Sequence, residues 1–192
     1  VIIDSGGINN LITYNVIYEN DPTRGRPTYF GIDLKNGGNN QHLKPVIESY
    51  DWVNQNLTLY GKSNYPNDSI HVYIGDGGYE EAKRFMGKCK VDALGKWDLT
   101  LNTADETLKI NPQTTLYFVA TTTDASKNTS PFSDLFMAGD CYVTSKKDTA
   151  SNVFPLPNTL RMAINCANNQ KRKVGIYFKI DEYGNKDIEL QM

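Results

Sequence analysis

Trp97-Asp98-Leu99-Thr100-Leu101 alternates apolar and polar side chains one by one. Successive side chains of an extended chain point to opposite faces. Trp97, Leu99 and Leu101 therefore share one side, and Asp98 and Thr100 the other. That is the pattern of a half-buried antiparallel strand. The same period recurs in Leu57 and Leu59, in Ile70, Val72 and Ile74, and in Leu116, Phe118 and Ala120. The residues between them are mostly Thr, Tyr, His and Asp, which suit an outer face. Turn chemistry separates the runs at Asn64-Tyr65-Pro66-Asn67-Asp68, Gly75-Asp76-Gly77-Gly78, Asp92-Ala93-Leu94-Gly95 and Asn111-Pro112. Residues 51–137 are expected to form a two-sheet sandwich with Trp97 in its core.

The flanks read differently. In residues 1–50 the apolar runs are Val1-Ile2-Ile3, Leu11-Ile12, Val16-Ile17-Tyr18 and Gly31-Ile32-Asp33-Leu34. Each is too short for a helix, and Asn or Gly fills the gaps, so very short strands with sharp corners are expected. Residues 138–192 hold the helix candidate. Asn158 can cap it, and Leu160, Ala163, Ile164 and Ala167 make one apolar stripe at helical spacing. Strands are expected from Val174 to Ile180 and from Ile188 to Leu190, with Gly184-Asn185 turning between them.

The bulk numbers narrow the function classes. With 192 residues, 39% hydrophobic and 22% charged, the chain can bury a core. A net charge of −2 provides no basic stripe for nucleic acid. The dense basic run Lys171-Arg172-Lys173 reads as a solvated turn. No apolar run approaches the ~20 residues that span a bilayer, so membrane insertion is not expected. A chain opening on Val1, without a signal segment, is expected to be processed or excised from something longer. Three cysteines leave one over from any disulfide framework. Cys141 and Cys166, in one region, are the pair to consider. The favoured expectation is that they and Cys89 are all small apolar fillers.

Two stretches carry a resemblance. Phe118-Val119-Ala120-Thr121-Thr122-Thr123-Asp124-Ala125-Ser126-Lys127-Asn128-Thr129-Ser130-Pro131-Phe132-Ser133 resembles the closing strand of bacterial Ig-like domains, A-T-D-x-x-G-N-T-S-x-F-S, with Lys127 in place of Gly. Asp92-Ala93-Leu94-Gly95-Lys96-Trp97 is similar to their D-x-x-G-x-W/F turn. The flanks look like partial right-handed parallel β-helices. Asn9 through Asn20, Gly31-Ile32-Asp33-Leu34 and Pro45-Val46-Ile47 resemble terminal coils. Val143-Thr144, Asp148 and Leu160-Arg161-Met162-Ala163-Ile164-Asn165-Cys166-Ala167-Asn168 resemble a V-T-x-x-x-D…S-L-R-x-A-I-x-x-A-N entry, with Asn158-Thr159 replacing Gly-Ser. The whole is similar in style to surface and gliding-motility adhesins of Bacteroidetes.

The resemblance implies a mainly β chain in three parts: terminal β-helix coils over 1–50, an Ig-like sandwich over 51–137, and a capping helix with first β-helix strands over 138–192. It implies a non-catalytic structural or adhesive segment of a large extracellular cell-surface protein. Its partners would be neighbouring domains, copies of the same protein, or surface glycans. Coils need stacked neighbours to cover their edges. Three arrangements meet that need: a longer polypeptide, a head-to-tail filament of copies, or flanks that pack on each other. A carbohydrate-binding or polysaccharide-cleaving β-helix module is a further reading, with Tyr60, Tyr65, Tyr73 and Tyr79 as an aromatic platform.

Catalytic chemistry is sparse. G-x-S-x-G, H-E-x-x-H, the P-loop and paired C-x-x-C are absent, and the chain is not expected to be an enzyme or to need a cofactor. Gly75-Asp76-Gly77-Gly78 reads as a turn rather than a phosphate cradle. His71 alternates with Ile70 and Val72 and is expected on the solvent face; His42 has no acid partner nearby in sequence. Polysaccharide cleavage would need carboxylates such as Asp33 and Glu48, or Arg26, brought together. The Ig-like match points to Ca²⁺, with Asp124 and Asn128 in one loop and Asp92 from a neighbouring turn. The competing reading is that Asp124 and Asn128 form Asx turns without metal, and it is preferred. Asp68-Ser69-Ile70 and Asp148-Thr149-Ala150 resemble D-S/T-apolar glycosylation sites of Bacteroidetes.

Overall fold

The computed structural model describes residues 1–17, 31–75, 80–110, 115–139, 141–143, 145, 159–168, 175–178 and 180. Across these the chain is mainly β. Two short strands, β1 (Ile2–Ile3) and β2 (Asp33–Leu34), come first. Then follow β3 (Val46–Val53), β4 (Asn56–Lys62), β5 (Ser69–Gly75), β6 (Ala82–Lys90), β7 (Lys96–Asn102), β8 (Leu116–Thr123) and β9 (Phe136–Ala138). The C-terminal part supplies β10 (Cys141–Val143), helix α1 (Leu160–Asn168) and β11 (Ile176–Phe178).

The alternating runs become two antiparallel sheets. One has the order β3-β4-β7, the other β6-β5-β8-β9. Leu57 and Leu59 pair with Leu101 and Leu99, and Ile70 and Val72 with Thr122 and Ala120. Inward side chains of both sheets share one core that includes Leu57, Leu59, Ile70, Val72, Trp97 and Phe118. Each such side chain contributes about 1.5–3 kcal/mol through burial.

The flanks contain parallel strands. Ile2 pairs with Asp33, and Cys141 with Ile176. Each is a two-stranded sheet among the described residues. The corners around β1 and β2 use left-handed backbone at Asn9, Asn36, Asn39 and Asn40. Asn tolerates that conformation better than most residues, which accounts for the Asn-rich composition there. Pro45-Val46-Ile47, expected in a coil, instead leads into β3, which runs antiparallel to β4. The strand expected at 188–190, its turn and the cap at Asn158 lie outside the described residues.

Helix α1 forms where expected and packs Leu160, Ala163 and Ala167 of the expected stripe inward, with Ile164 the exception. Met162, Ala163 and Cys166 are buried, while Ile164 is 40% exposed. Cys166 is bonded to Cys141 on β10, which fixes the helix rotation; the filler reading fails for those two residues. Thr159 caps the helix, its Oγ1 accepting the Met162 N–H at 3.3 Å. Cys89 is a free thiol, pushed up to about 12 by burial and by Asp98.

The N-terminal segment supplies a third layer. Ile12, Ile17 and Ile32 pack with Tyr73, Val119 and Phe132 on the outer face of the four-stranded sheet. Strands β5 and β8 are thereby buried on both faces. This corrects the expectation for His71, which is only 5% exposed. Tyr14 lies edge-on to it at 5.5 Å, with Phe85 beyond at 6.2 Å.

At the other end of the core, Trp97 crosses β4 where Gly61 leaves room. A Cβ on Gly61 would stand 2.2 Å from the Val46 carbonyl oxygen and 2.3 Å from the indole. The nearer atom is backbone and has little freedom to retreat. Gly61→Ala is expected to lower unfolding free energy by about 2–3 kcal/mol. Urea denaturation checks this, and an unchanged midpoint would refute the packing account.

Candidate functional site

The junction between the N-terminal segment and the sandwich gathers most of the chain's unusual polar chemistry. Between residues 9 and 14 the segment follows the sheet without forming a regular strand. Its N–H groups still need acceptors once the segment lies against protein. Side chains provide them. The Asn9 N–H donates to Asn128 Oδ1 (2.7 Å), that of Asn10 to Asn39 Oδ1 (3.0 Å), that of Ile12 to Thr129 Oγ1 (3.0 Å) and that of Tyr14 to the Tyr73 hydroxyl (3.2 Å). Farther along, Ile17 and Ala82 exchange two backbone hydrogen bonds of 2.8 Å.

Asn39 is the hub. It is fully buried, with φ +41°. Its Oδ1 accepts from the Asn10 backbone and side chain, and its Nδ2 donates to the carbonyls of Asn10 (2.9 Å) and Thr129 (3.0 Å). Only an amide offers two donors and an acceptor in that geometry.

The three calcium candidates separate into two places. Asp124 and Asn128 do come together: Asp124 accepts the Asn128 N–H on one oxygen and the Asn128 Nδ2 on the other, both at 2.8 Å. Burial alone would raise the Asp124 carboxyl, but the Asn128 donors, helped by nearby His42, hold it below the usual carboxylate range. The carbonyl oxygen that Asn128 would lend a cation takes the Asn9 N–H instead. Asp92 folds its Oδ1 onto the N–H groups of Leu94 and Lys96, both at 2.8 Å. Its turn follows β6 and Asp124 follows β8, with β5 between those strands. These donors fit Asx turns better than a Ca²⁺ cage. Among the described residues, no three His, Cys, Asp or Glu side chains are gathered to hold a metal.

His42 acquires the acid partner that its sequence neighbourhood lacks. Its Nε2 lies 2.8 Å from Asp68 Oδ2, and its ring stacks on Tyr65 with centroids 4.1 Å apart. Thr122 Oγ1 donates to the same carboxylate oxygen at 3.1 Å. A nucleophile triad needs the hydroxyl on the imidazole. Here hydroxyl and imidazole converge on one carboxylate, an arrangement that joins the loop before β3 to β5 and β8. Sequence distance hid this pair, since only folding brings residues 42 and 68 together. Asp68 of the Asp68-Ser69-Ile70 motif is thus an internal anchor; Asp148-Thr149-Ala150 lies outside the described residues.

Lys44 fastens the rim, reaching Asp134 at 2.6 Å and Glu80 at 3.3 Å. Burial pushes Glu80 up to about 7, with Lys44 opposing and Asp134 adding to the shift. The carboxylates considered for cleavage are not joined: Asp33 pairs with Lys35 (3.3 Å) and Glu48 with Lys62 (2.8 Å). Arg26 and Gly77 fall outside the described residues. The tyrosine platform does not assemble either. Tyr73 is 1% exposed, Tyr65 stacks on His42, Tyr60 is open, and Tyr79 is not among the described residues.

Two outcomes test the junction. Asn39→Asp replaces two donors by an acceptor facing the Asn10 and Thr129 carbonyls, so stability should fall by about 3 kcal/mol or more in denaturant titrations. His71 gives a pH signature. Burial first, then Lys88, lowers its folded pKa from 6.5 to about 4. Between those values the unfolded chain binds a proton that the folded chain does not. Its contribution is complete above pH 6.5 and lost as pH falls toward 4, up to about 3 kcal/mol. Glu80 runs oppositely, because its folded form keeps a proton between 4.5 and 7. The difference between wild type and His71→Phe isolates the histidine; parallel pH–stability curves would refute the assignment.

No known protein family matches the chain, and no characterised protein matches it significantly.

Proposed function

We propose that this chain is a non-catalytic structural and adhesive segment of a large bacterial cell-surface protein, in which an Ig-like sandwich is joined rigidly to partial β-helices. The observation that carries the proposal is the N-terminal junction. The flank lies along the sandwich and is tied to it by amide, hydroxyl and ion-pair contacts. A spacer needs that continuity between modules.

Strand order supports the Ig-like part. Named A, B, C, C′, E, F and G in chain order, β3 to β9 give sheets A-B-E and C′-C-F-G, a Greek-key sandwich order. The chain departs from antibody domains in carrying its buried Trp on β7 and its disulfide outside the sandwich. The parallel pairs β1–β2 and β10–β11 support the β-helical part, since stacked coils pair their strands in parallel.

An antibody raised against the chain tests the proposal on intact source cells. The expected result is surface labelling, removed by external protease, and an immunoblot band far above 21.6 kDa. A band near that mass confined to the cell interior would overturn it. Concentration-dependent polymers of the isolated chain in electron micrographs would favour the filament reading instead.

A further inference from the structure

The sandwich has two outer sheet faces, and the chain treats them differently. One is covered by the N-terminal segment. The other belongs to β3-β4-β7. On its central strand, Tyr60 is flanked by Ser49 on one side and Asp98 on the other. Both neighbours are short, so the ring stays open, at 38% exposure. Beside it is a groove of about 400 Å³, bordered by Glu48, Lys90, Lys96, Trp97 and Asp98. That volume falls within the range of small-ligand sites. Trp97 is 3% exposed, its indole turned into the core across Gly61.

We propose that this groove is a binding site for a neutral saccharide, with Tyr60 as the stacking platform. The chemistry selects that class. A pyranose offers a C–H face that packs on an aromatic ring and a rim of hydroxyls that donate and accept. Asp98 can accept hydroxyl protons and Lys96 can donate. Lysines and carboxylates alternate around the groove, which gives little attraction for a polyanion. Beyond Tyr60, Thr58 and Thr100 share a hydrogen bond of 2.9 Å on the same face, leaving a flat polar track for further sugar units. This inference rests on the adhesive half of the function proposed above and gives it a ligand class; the spacer half does not depend on it.

The test is an array of neutral gluco-, galacto-, manno- and xylo-oligosaccharides, followed by calorimetric titration of the full chain with any that bind. Binding is expected for at least one. Tyr60→Ala should weaken it about tenfold or more, as loss of an aromatic anchor does, whereas Tyr60→Phe should retain it. Asp98→Ala should weaken it severalfold. These positions are exposed, and matching melting curves certify the fold of each variant. Absence of binding at millimolar sugar, binding indifferent to Tyr60→Ala, or binding only to sulfated or uronic polymers that salt abolishes would each overturn the site. Surface labelling of a large polypeptide would stand regardless, so the two failures are distinguishable.

Discussion

A stretch of backbone laid against protein without a strand partner must find acceptors for its N–H groups, or stay in water. Much of this fold depends on how that requirement is met at residues 9–14. Asn128, Asn39, Thr129 and Tyr73 each offer one side-chain oxygen, in order along the segment. Without them the segment would be better hydrated than docked, and Tyr73, Val119 and Phe132 would lose their apolar cover. The acceptors are discrete atoms on rigid strands and turns. They fix one register, as a ladder of backbone pairs would, while leaving the segment free of strand geometry.

The two ends of the chain are fastened by different means. The N-terminal end relies on neutral hydrogen bonds and a lysine between two carboxyls. In the C-terminal part a disulfide ties helix α1 to β10, and the pair is held to the sandwich by Met137 of β9 and Tyr117 of β8 packing against them. A disulfide acts mainly by restricting the unfolded chain, whereas the polar junction acts through contacts of the folded state. Reducing agent and pH therefore act on opposite ends of the molecule.

Strands β4, β5, β7 and β8 were legible because each has one face on the shared core, which stamps period two onto Leu57, Ile70, Trp97 and Phe118, whereas β6, Ala82–Lys90, carries no such apolar alternation and was not. The same period misleads at His71. A strand buried on both faces still alternates when its outer face is lined by His and Tyr rather than by aliphatics. Nothing local announces that residues 12 and 17 will cover it. The helix and most of its inward face were legible, since Leu160, Ala163 and Ala167 pack on the core. Ile164 was misplaced, and the bond of Cys166 to Cys141 turns Met162 and Cys166 inward in its stead. The candidate site was half legible: the Ig-like resemblance pointed to Asp124 and Asn128, while Asn39 looked like one more turn residue and His42 had no acid partner nearby in sequence. Their partners lie far away in sequence, and pattern reading has no access to that distance.

The contact between Asn9 and Asn128 spans 119 residues. Chains are made and exported from one end, at roughly 5–20 residues per second during synthesis. The segment that covers the sheet therefore emerges roughly ten seconds or so before the loop that receives it. Through much of that interval Ile12 and Ile17 have no finished sheet to cover, and Asn9 and Ile12 wait for their acceptors on Asn128 and Thr129. The order of manufacture is thus the reverse of the order of docking. The Asn9–Asn128 contact can close only once β3 to β8 have been made, so a closed junction reports that those strands are in place.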